Sequence, residues 1–464
     1  MKILIVDPYP NVSHRISKDQ NGGFGTANNY GDDIFSKIIS KFVKNSIDFP
    51  PFYIVQVIGE LLKKSHEVEF VKDLNKKKLN LDEYSFFIIT TSIVCHETEL
   101  EVIKFLNKET NFKKVIFAVG PFATTMPDKY IHAGAKVVKG EPEMFFYNFK
   151  INEVDILSLP SLIDNNESID LNSLSIPGWE IIFKSYVPKM RFLGDGPAVN
   201  INASRGCPYS CFYYCVYPLQ QGRKLRLKSP EKLIEEMKYL KNKLNIKNFI
   251  FRDPVFSVDK RHTLEICKKI INEKLSFNLC IETHLKNIDN ELALIFKKAG
   301  VKLIYVGIES SNEDVRKDSK RTSESNDEQI KKVHLLEKLG IKVKAMYIIG
   351  LPTDTLESFL NTLNYARKIN STYAQFSVFT PYPGTPAFQE YKDIIKVKKY
   401  EDFTQWKLVF KHKNFDEEQI RKLLSYSYSS YYLNVKWILN YFIFKPILKN
   451  YESFYYWIQR FFGK

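Results

Sequence analysis

The stretch Ser204-Arg-Gly-Cys207-Pro-Tyr-Ser-Cys211-Phe-Tyr-Tyr-Cys215-Val-Tyr-Pro218 carries three of the six cysteines of this 464-residue chain within nine positions. Cysteines at i, i+4 and i+8 would stripe one face of a helix. Gly206, Pro208 and Pro218 favour a loop instead. A loop with three thiolates can ligate three irons of a [4Fe–4S] cluster and leave the fourth open, and thiolate is the ligand such clusters use. The rival readings are a zinc site and a loop without metal. Structural zinc takes four ligands, often as two distant pairs, and neither a second pair nor a histidine stands near this loop. Cys95, Cys267 and Cys280 sit singly in apolar surroundings and read as core residues.

Outward from the loop, strand and helix patterns alternate. Strands are expected at 198–203, 248–251, 278–282, 303–306, 343–349 and 374–380, with helices between them such as 230–243 and 289–299. Six such units predict a partial (β/α)6 barrel of TIM type, with the cysteine loop following its first strand. Upstream, strands at 2–6, 66–71, 84–90, 115–119 and 136–138 alternate with helices at 53–63 and 97–107. That pattern predicts a doubly wound α/β domain with a parallel sheet. The expected organisation is therefore a sheet domain over 1–150, a polar linker over 151–190, the barrel over 191–395 and a small helical region over 396–464. The stretch 426–462 is rich in aromatics and reads as an amphipathic helix kinked at Pro446. It is either a cap on the barrel or a peripheral membrane contact.

Composition narrows the classes. Hydrophobic residues make up 44% and charged residues 26%, which is globular. No apolar run reaches the ~18–20 residues of a membrane span. The opening residues lack a signal-peptide pattern, so a cytoplasmic, or membrane-peripheral, protein is expected. The net charge of +15 comes mainly from dispersed lysines. Without an arginine-rich arm or a recognisable module, no nucleic-acid partner is expected.

The motif 205–211, Arg-Gly-Cys-Pro-Tyr-Ser-Cys, followed by aromatics and Cys215, resembles the cluster loop of the radical S-adenosylmethionine (radical SAM) superfamily. The family's common spacing is three residues, then two. Here it is three, then three, so Tyr214 stands where the last cysteine is usual. The resemblance implies that Cys207, Cys211 and Cys215 hold a [4Fe–4S] cluster and that S-adenosylmethionine binds its open iron. It also implies cofactor contacts from Tyr214 and Asp253, from Gly307, Glu309 and Ser310 at the ribose, and from Gly350 and Pro352 at the adenine. Residues 119–124, Val-Gly-Pro-Phe-Ala-Thr, and 140–143, Gly-Glu-Pro-Glu, resemble motifs of a cobalamin-binding domain found in one subfamily. Phe122 replaces a histidine there and Val119 a glycine. This second resemblance implies cobalamin contacts from Gly120, Thr124, Gly140 and Glu141. The alternative is a domain kept only as structure.

The activity implied is hydrogen abstraction from an unactivated carbon followed by cobalamin-dependent methyl transfer. A radical oxidoreductase or cyclase without cobalamin is the nearer alternative, and a non-enzymatic metal-binding or interaction protein with a degenerate loop the more distant one. The implied partners are a small-molecule or lipid-like substrate and a one-electron reductant such as flavodoxin or ferredoxin. No residue is assigned a catalytic role, and the lone histidines His66 and His96 are read as structural.

Overall fold

The computed structural model describes residues 1–74, 79–148, 156–165, 168–321 and 323–444. Near-continuous apolar runs build its first sheet. Strands β1 (Lys2–Val6), β2 (Glu67–Val71), β3 (Phe86–Thr90), β4 (Val115–Val119), β5 (Lys136–Gly140) and β6 (Leu162–Asn165) pair in parallel in the order β2-β1-β3-β4-β5-β6. Residues 3–6 of β1 and 86–89 of β3 are fully buried because helices cover both faces. Those helices include α1 (Ile34–Ser46), α2 (Phe52–Lys63) and α3 (His96–Glu109).

The sheet does not end where the sequence pattern placed its end. Leu162–Asn165 adds a sixth strand against β5, and Trp179–Ser185 forms a short helix. Both lie in the stretch expected to be an irregular linker. The strand alternates exposed and half-buried residues because it is an edge, so it lacks the apolar run that marks its neighbours.

The second sheet is also parallel and strictly sequential: β7 (Ala198–Ile201), β8 (Asn248–Phe251), β9 (Asn278–Thr283), β10 (Val301–Glu309), β11 (Lys342–Ile349) and β12 (Tyr373–Val378). Its outer layer includes α4 (Pro230–Leu244), α5 (Lys260–Asn272), α6 (Asn290–Ala299), α7 (Asn326–Lys338) and α8 (Leu356–Ile369). Six strands without closure make the expected partial barrel. Along β11, Val343, Ala345, Tyr347 and Ile349 are buried toward the helices, while Lys344, Met346 and Ile348 on the other face are half-buried.

Helix α9 (Glu417–Tyr432) packs on β12. The Tyr428 hydroxyl accepts from Phe376 N at 3.0 Å and donates to Phe376 O at 2.8 Å. Tyr432 does the same at Ala374. These tyrosines satisfy the open edge of the last strand, which is the cap reading of the aromatic tail. The residues of the tail beyond 444, with Pro446, lie outside the described residues. No helix among the described residues is long and apolar enough to cross a membrane.

Candidate functional site: a cysteine loop at the mouth of the barrel

The cysteine loop is fixed at both ends. Ser204–Arg205 pairs antiparallel with Arg226–Leu227. Asp253, just past β8, is fully buried and accepts from Ala203 N at 3.1 Å, from Ser204 N and from Ser204 Oγ at 2.6 Å. Its oxygens thus hold the start of the loop, a positioning task that the sequence motif did not reveal. Gly206 has φ +87°, and a Cβ there would lie 2.1 Å from Lys224 O, so only glycine fits. Cys207 N donates to Gly222 O at 3.2 Å.

The extra residue of the loop is absorbed in a tight turn. Ser210–Tyr213 forms one 3-10 turn, after which Tyr214 N and Cys215 N both donate to Cys211 O, at 3.1 and 3.0 Å. The turn sends the Tyr214 side chain toward Glu309 and Phe379, and it brings the Cys215 thiol into hydrogen-bond contact with Cys211. The Cys215 thiol donating to it, aided by Arg321, pulls the Cys211 thiol down to about 6, while Cys215 is pushed up and burial raises Cys207. Among the described residues, no three His, Cys, Asp or Glu side chains group around one point as a single-ion site would require. Cys207 is buried and Cys211 and Cys215 are half-buried, all three on one loop, and thiolates are the ligands that iron–sulfur clusters take.

Arg321 links this loop to β10. It reaches the Cys211 sulfur, donates to Gly307 O at 2.9 Å and lies 3.5 Å from Glu309. Glu309 has φ +68°, next to a bulge in the β10–β11 pairing. Gly307 leaves room for both side chains, since a Cβ there would lie 2.4 Å from Glu309 Oε1. Cys211, Tyr214, Gly307 and Glu309, nominated separately from sequence, therefore meet around an arginine that no motif announced. Ser310 stands apart from that group, sharing a hydrogen bond with Thr362. Gly350 (φ +67°) and Pro352 form the turn after β11; Asp354 accepts from Gly350 N at 3.1 Å, and His412 Nε2 donates to Leu351 O at 2.8 Å.

Deeper in the barrel, Glu282, Tyr305 and Lys344 are register partners across β9, β10 and β11. Lys344 Nζ sits 4.7 Å from the Tyr305 ring centre. Burial pushes Glu282 up to about 7 and Lys344 down to about 8. Sequence reading missed this row; the only signal was a charge inside each of two apolar strands.

The sheet-domain candidates lie at the carboxyl ends of β4 and β5. Thr124 Oγ1 donates to Gly120 O and accepts from Gly140 N, both at 3.0 Å, so the two motifs are joined. Gly120 has φ +125° and faces the Tyr53 hydroxyl, which a Cβ would approach to 2.4 Å. Glu141 is used differently from its expected cofactor role. It accepts from Arg205 at 2.9 Å and Arg226 at 2.8 Å, and Arg205 also pairs with Glu143. Those arginines hold Glu141 below its ordinary range against the cost of burial. The crevice between sheet and barrel is filled by residues 15–28 and Tyr53. It retains about 30 Å³, bordered by Asp19, Tyr53, Asn202, Arg205 and Arg252. That volume is enough for about one water.

Residues 201–366 match the model of the Radical SAM superfamily. An uncharacterised methyltransferase of Pyrococcus horikoshii is 26% identical over 82% of this chain and 87% of its own length. The anaerobic magnesium-protoporphyrin IX monomethyl ester cyclase of Rubrivivax gelatinosus is 26% identical over 50% of this chain, which spans only 42% of that protein. Among solved structures, the cobalamin-dependent S-adenosylmethionine radical enzyme OxsB superposes with TM-score 0.65 at 13% identity, covering 99% of this chain and 72% of its own. The radical S-adenosylmethionine methyltransferase TsrM from Kitasatospora setae gives TM-score 0.60 at 16% identity over 84% and 76%. These likenesses bear out the two-sheet fold. The part of this chain that matches the Radical SAM superfamily is thus its barrel, with the cysteine loop at the barrel's mouth.

Proposed function

We propose that this radical SAM enzyme transfers a methyl group to an unactivated carbon of a small-molecule substrate, with cobalamin as methyl carrier. The observation that carries the reading is the cysteine loop itself, closed on a hairpin and linked through Arg321 to Glu309 and Gly307 across the barrel. The relative called a methyltransferase along most of both chains supports it.

Cys207, Cys211 and Cys215 would hold the [4Fe–4S] cluster. A cluster held there would supply one electron for breaking the sulfonium C–S bond of S-adenosylmethionine, with methionine as the leaving fragment. The chain's own residues do the rest. Asp253 fixes the start of the loop. Tyr214, Gly307 and Glu309 would form one wall for S-adenosylmethionine and the Gly350–Pro352 turn the other, with Ser310 to one side on Thr362. The Glu282–Tyr305–Lys344 row lines the interior below, where a polar substrate would be oriented and water limited. Gly120, Thr124 and Gly140, joined through the Thr124 hydroxyl, would contact cobalamin. A flavodoxin or ferredoxin would deliver the electron.

One observation favours a second reading, a radical cyclase or oxidoreductase without cobalamin: the crevice is filled by the chain's own residues. Anaerobic reconstitution followed by turnover with S-adenosylmethionine labelled in its methyl group tests both. About four irons per chain are expected, falling in Cys215→Ala, with label in the product. Full iron without label in any product would overturn methyl transfer. No iron would overturn the cluster.

A further inference from the structure

Inside the barrel, Glu282, Tyr305 and Lys344 form a row across three neighbouring strands. Gly307 stands two residues beyond Tyr305 on β10, which places it roughly 7 Å nearer the carboxyl ends of the strands. Its carbonyl accepts from Arg321, and Arg321 reaches the Cys211 sulfur. The row therefore sits one step deeper than the residues that meet the cysteine loop. Lys344 is half-buried on a strand whose opposite face is covered by helices, so its ammonium opens to the interior of the barrel.

The charges around this row are not matched. Asp19 pairs with both Arg15 and Arg252. Lys344 faces those two arginines, Glu282 and the Cys280 thiol. Three cations thus stand against two carboxylates, Asp19 and Glu282, while Glu309 and Arg321 above them cancel. Among the described residues no carboxylate or carbonyl bonds Lys344 Nζ, which rests on the Tyr305 ring, 4.7 Å from its centre. Arg252 Nε is likewise buried without a hydrogen-bond partner. Burial, and after it Arg15, brings Lys344 down to about 8, and burial brings Glu282 up to about 7, so the positive surplus persists at neutral pH. A desolvated ammonium without a carboxylate is costly to the fold, and an anion in the interior would complete it.

We propose that Lys344 determines substrate class by binding an anionic group, a carboxylate or a phosphoryl group, at the end of the substrate that lies deepest in the barrel. This rests on the radical SAM reading above, which puts the substrate inside the barrel. An anchor there holds the substrate by one end and leaves the other toward S-adenosylmethionine. Neutral molecules of the same shape are selected against, because they leave the surplus charge uncompensated.

The test melts the iron-reconstituted full chain in succinate, phosphate or chloride at equal ionic strength, comparing wild type with Lys344→Met and Lys344→Arg. Lys344→Met removes a desolvated cation and keeps an apolar stem, so its midpoint in chloride is expected at or above the wild-type value. Binding to the native state alone raises the midpoint by mass action. Succinate or phosphate is expected to raise the wild-type midpoint about 2 °C beyond chloride. That increment should vanish in Lys344→Met and survive in Lys344→Arg, whereas general salt effects are common to all three proteins. The larger rise with succinate assigns a carboxylate, and with phosphate a phosphoryl group. Equal increments in wild type and Lys344→Met, or a Lys344→Met midpoint well below wild type in chloride, would overturn the anion site and make Lys344 structural. The melts need no turnover, so that result leaves the radical SAM reading standing, and a wild type that binds no iron overturns that reading whatever the melts show.

Discussion

Gly206 and Asp253 show how much of the site depends on single backbone positions. At Gly206, any other residue meets a left-handed cost of roughly 1–2 kcal/mol and a Cβ 2.1 Å from Lys224 O. Gly206→Ala is therefore expected to open the hairpin under the loop and to lower iron per chain well below wild type. Circular dichroism should show the barrel still folded; full iron loading would contradict this account. Asp253 answers three donors from a site that burial makes costly for a charge, and its carboxyl is pushed up to about 6. A raised carboxyl contributes most below its unfolded value, about 3.9, and that contribution is lost as pH rises through about 6. The stability gap between wild type and Asp253→Asn should accordingly narrow from pH 4 to pH 7 in urea titrations. A gap that widens would refute the direction. That residues 204–218 form a loop was legible in the chain, because Gly206, Pro208 and Pro218 act locally. Arg321 and Arg205 were not, because what matters in each is a partner far away in sequence.

At the scale of elements, patterning was a good guide wherever burial is two-sided. β1, β3 and β4 announce themselves as apolar runs. β6 does not, being a half-exposed edge. Helix α9 is the instructive case. Its tyrosines read as amphipathic, but the spacing of four between Tyr428 and Tyr432 matches the spacing of open backbone groups at Phe376 and Ala374 along β12. Each hydroxyl both accepts from and donates to one residue. A Tyr428→Phe/Tyr432→Phe pair leaves four backbone groups without these partners while keeping the rings. It should cost about 2–4 kcal/mol and expose a sheet edge prone to association. Thermal melts and light scattering on heating would show both effects; an unchanged melt would mean that water replaces the hydroxyls freely.

At the scale of the molecule, the two sheets are joined by buried charge. Arg205, at the start of the cysteine loop, pairs with Glu141 and Glu143 after β5, and Arg226 on the opposite hairpin strand shares Glu141. The sequence showed Glu141 and Glu143 only as a motif of the sheet domain. The pairing needs both domains in place before it exists, so no local pattern could carry it. Its consequence is a mechanical link from the first sheet to the loop that would hold iron. Removing one side of a buried pair is far worse than removing both. Arg205→Met leaves two buried carboxylates with less compensation and should cost about 3–5 kcal/mol, whereas Arg205→Met with Glu141→Leu and Glu143→Met should recover part of that stability, Arg226 being left without Glu141 but in reach of water. The informative quantity is then iron retention in the recovered triple variant. If the charges serve to set the loop's geometry, the triple variant folds but loads less iron than wild type. If they serve only to hold the sheets together, stability and iron recover in step, and the link between sheet and loop has no part in forming the site.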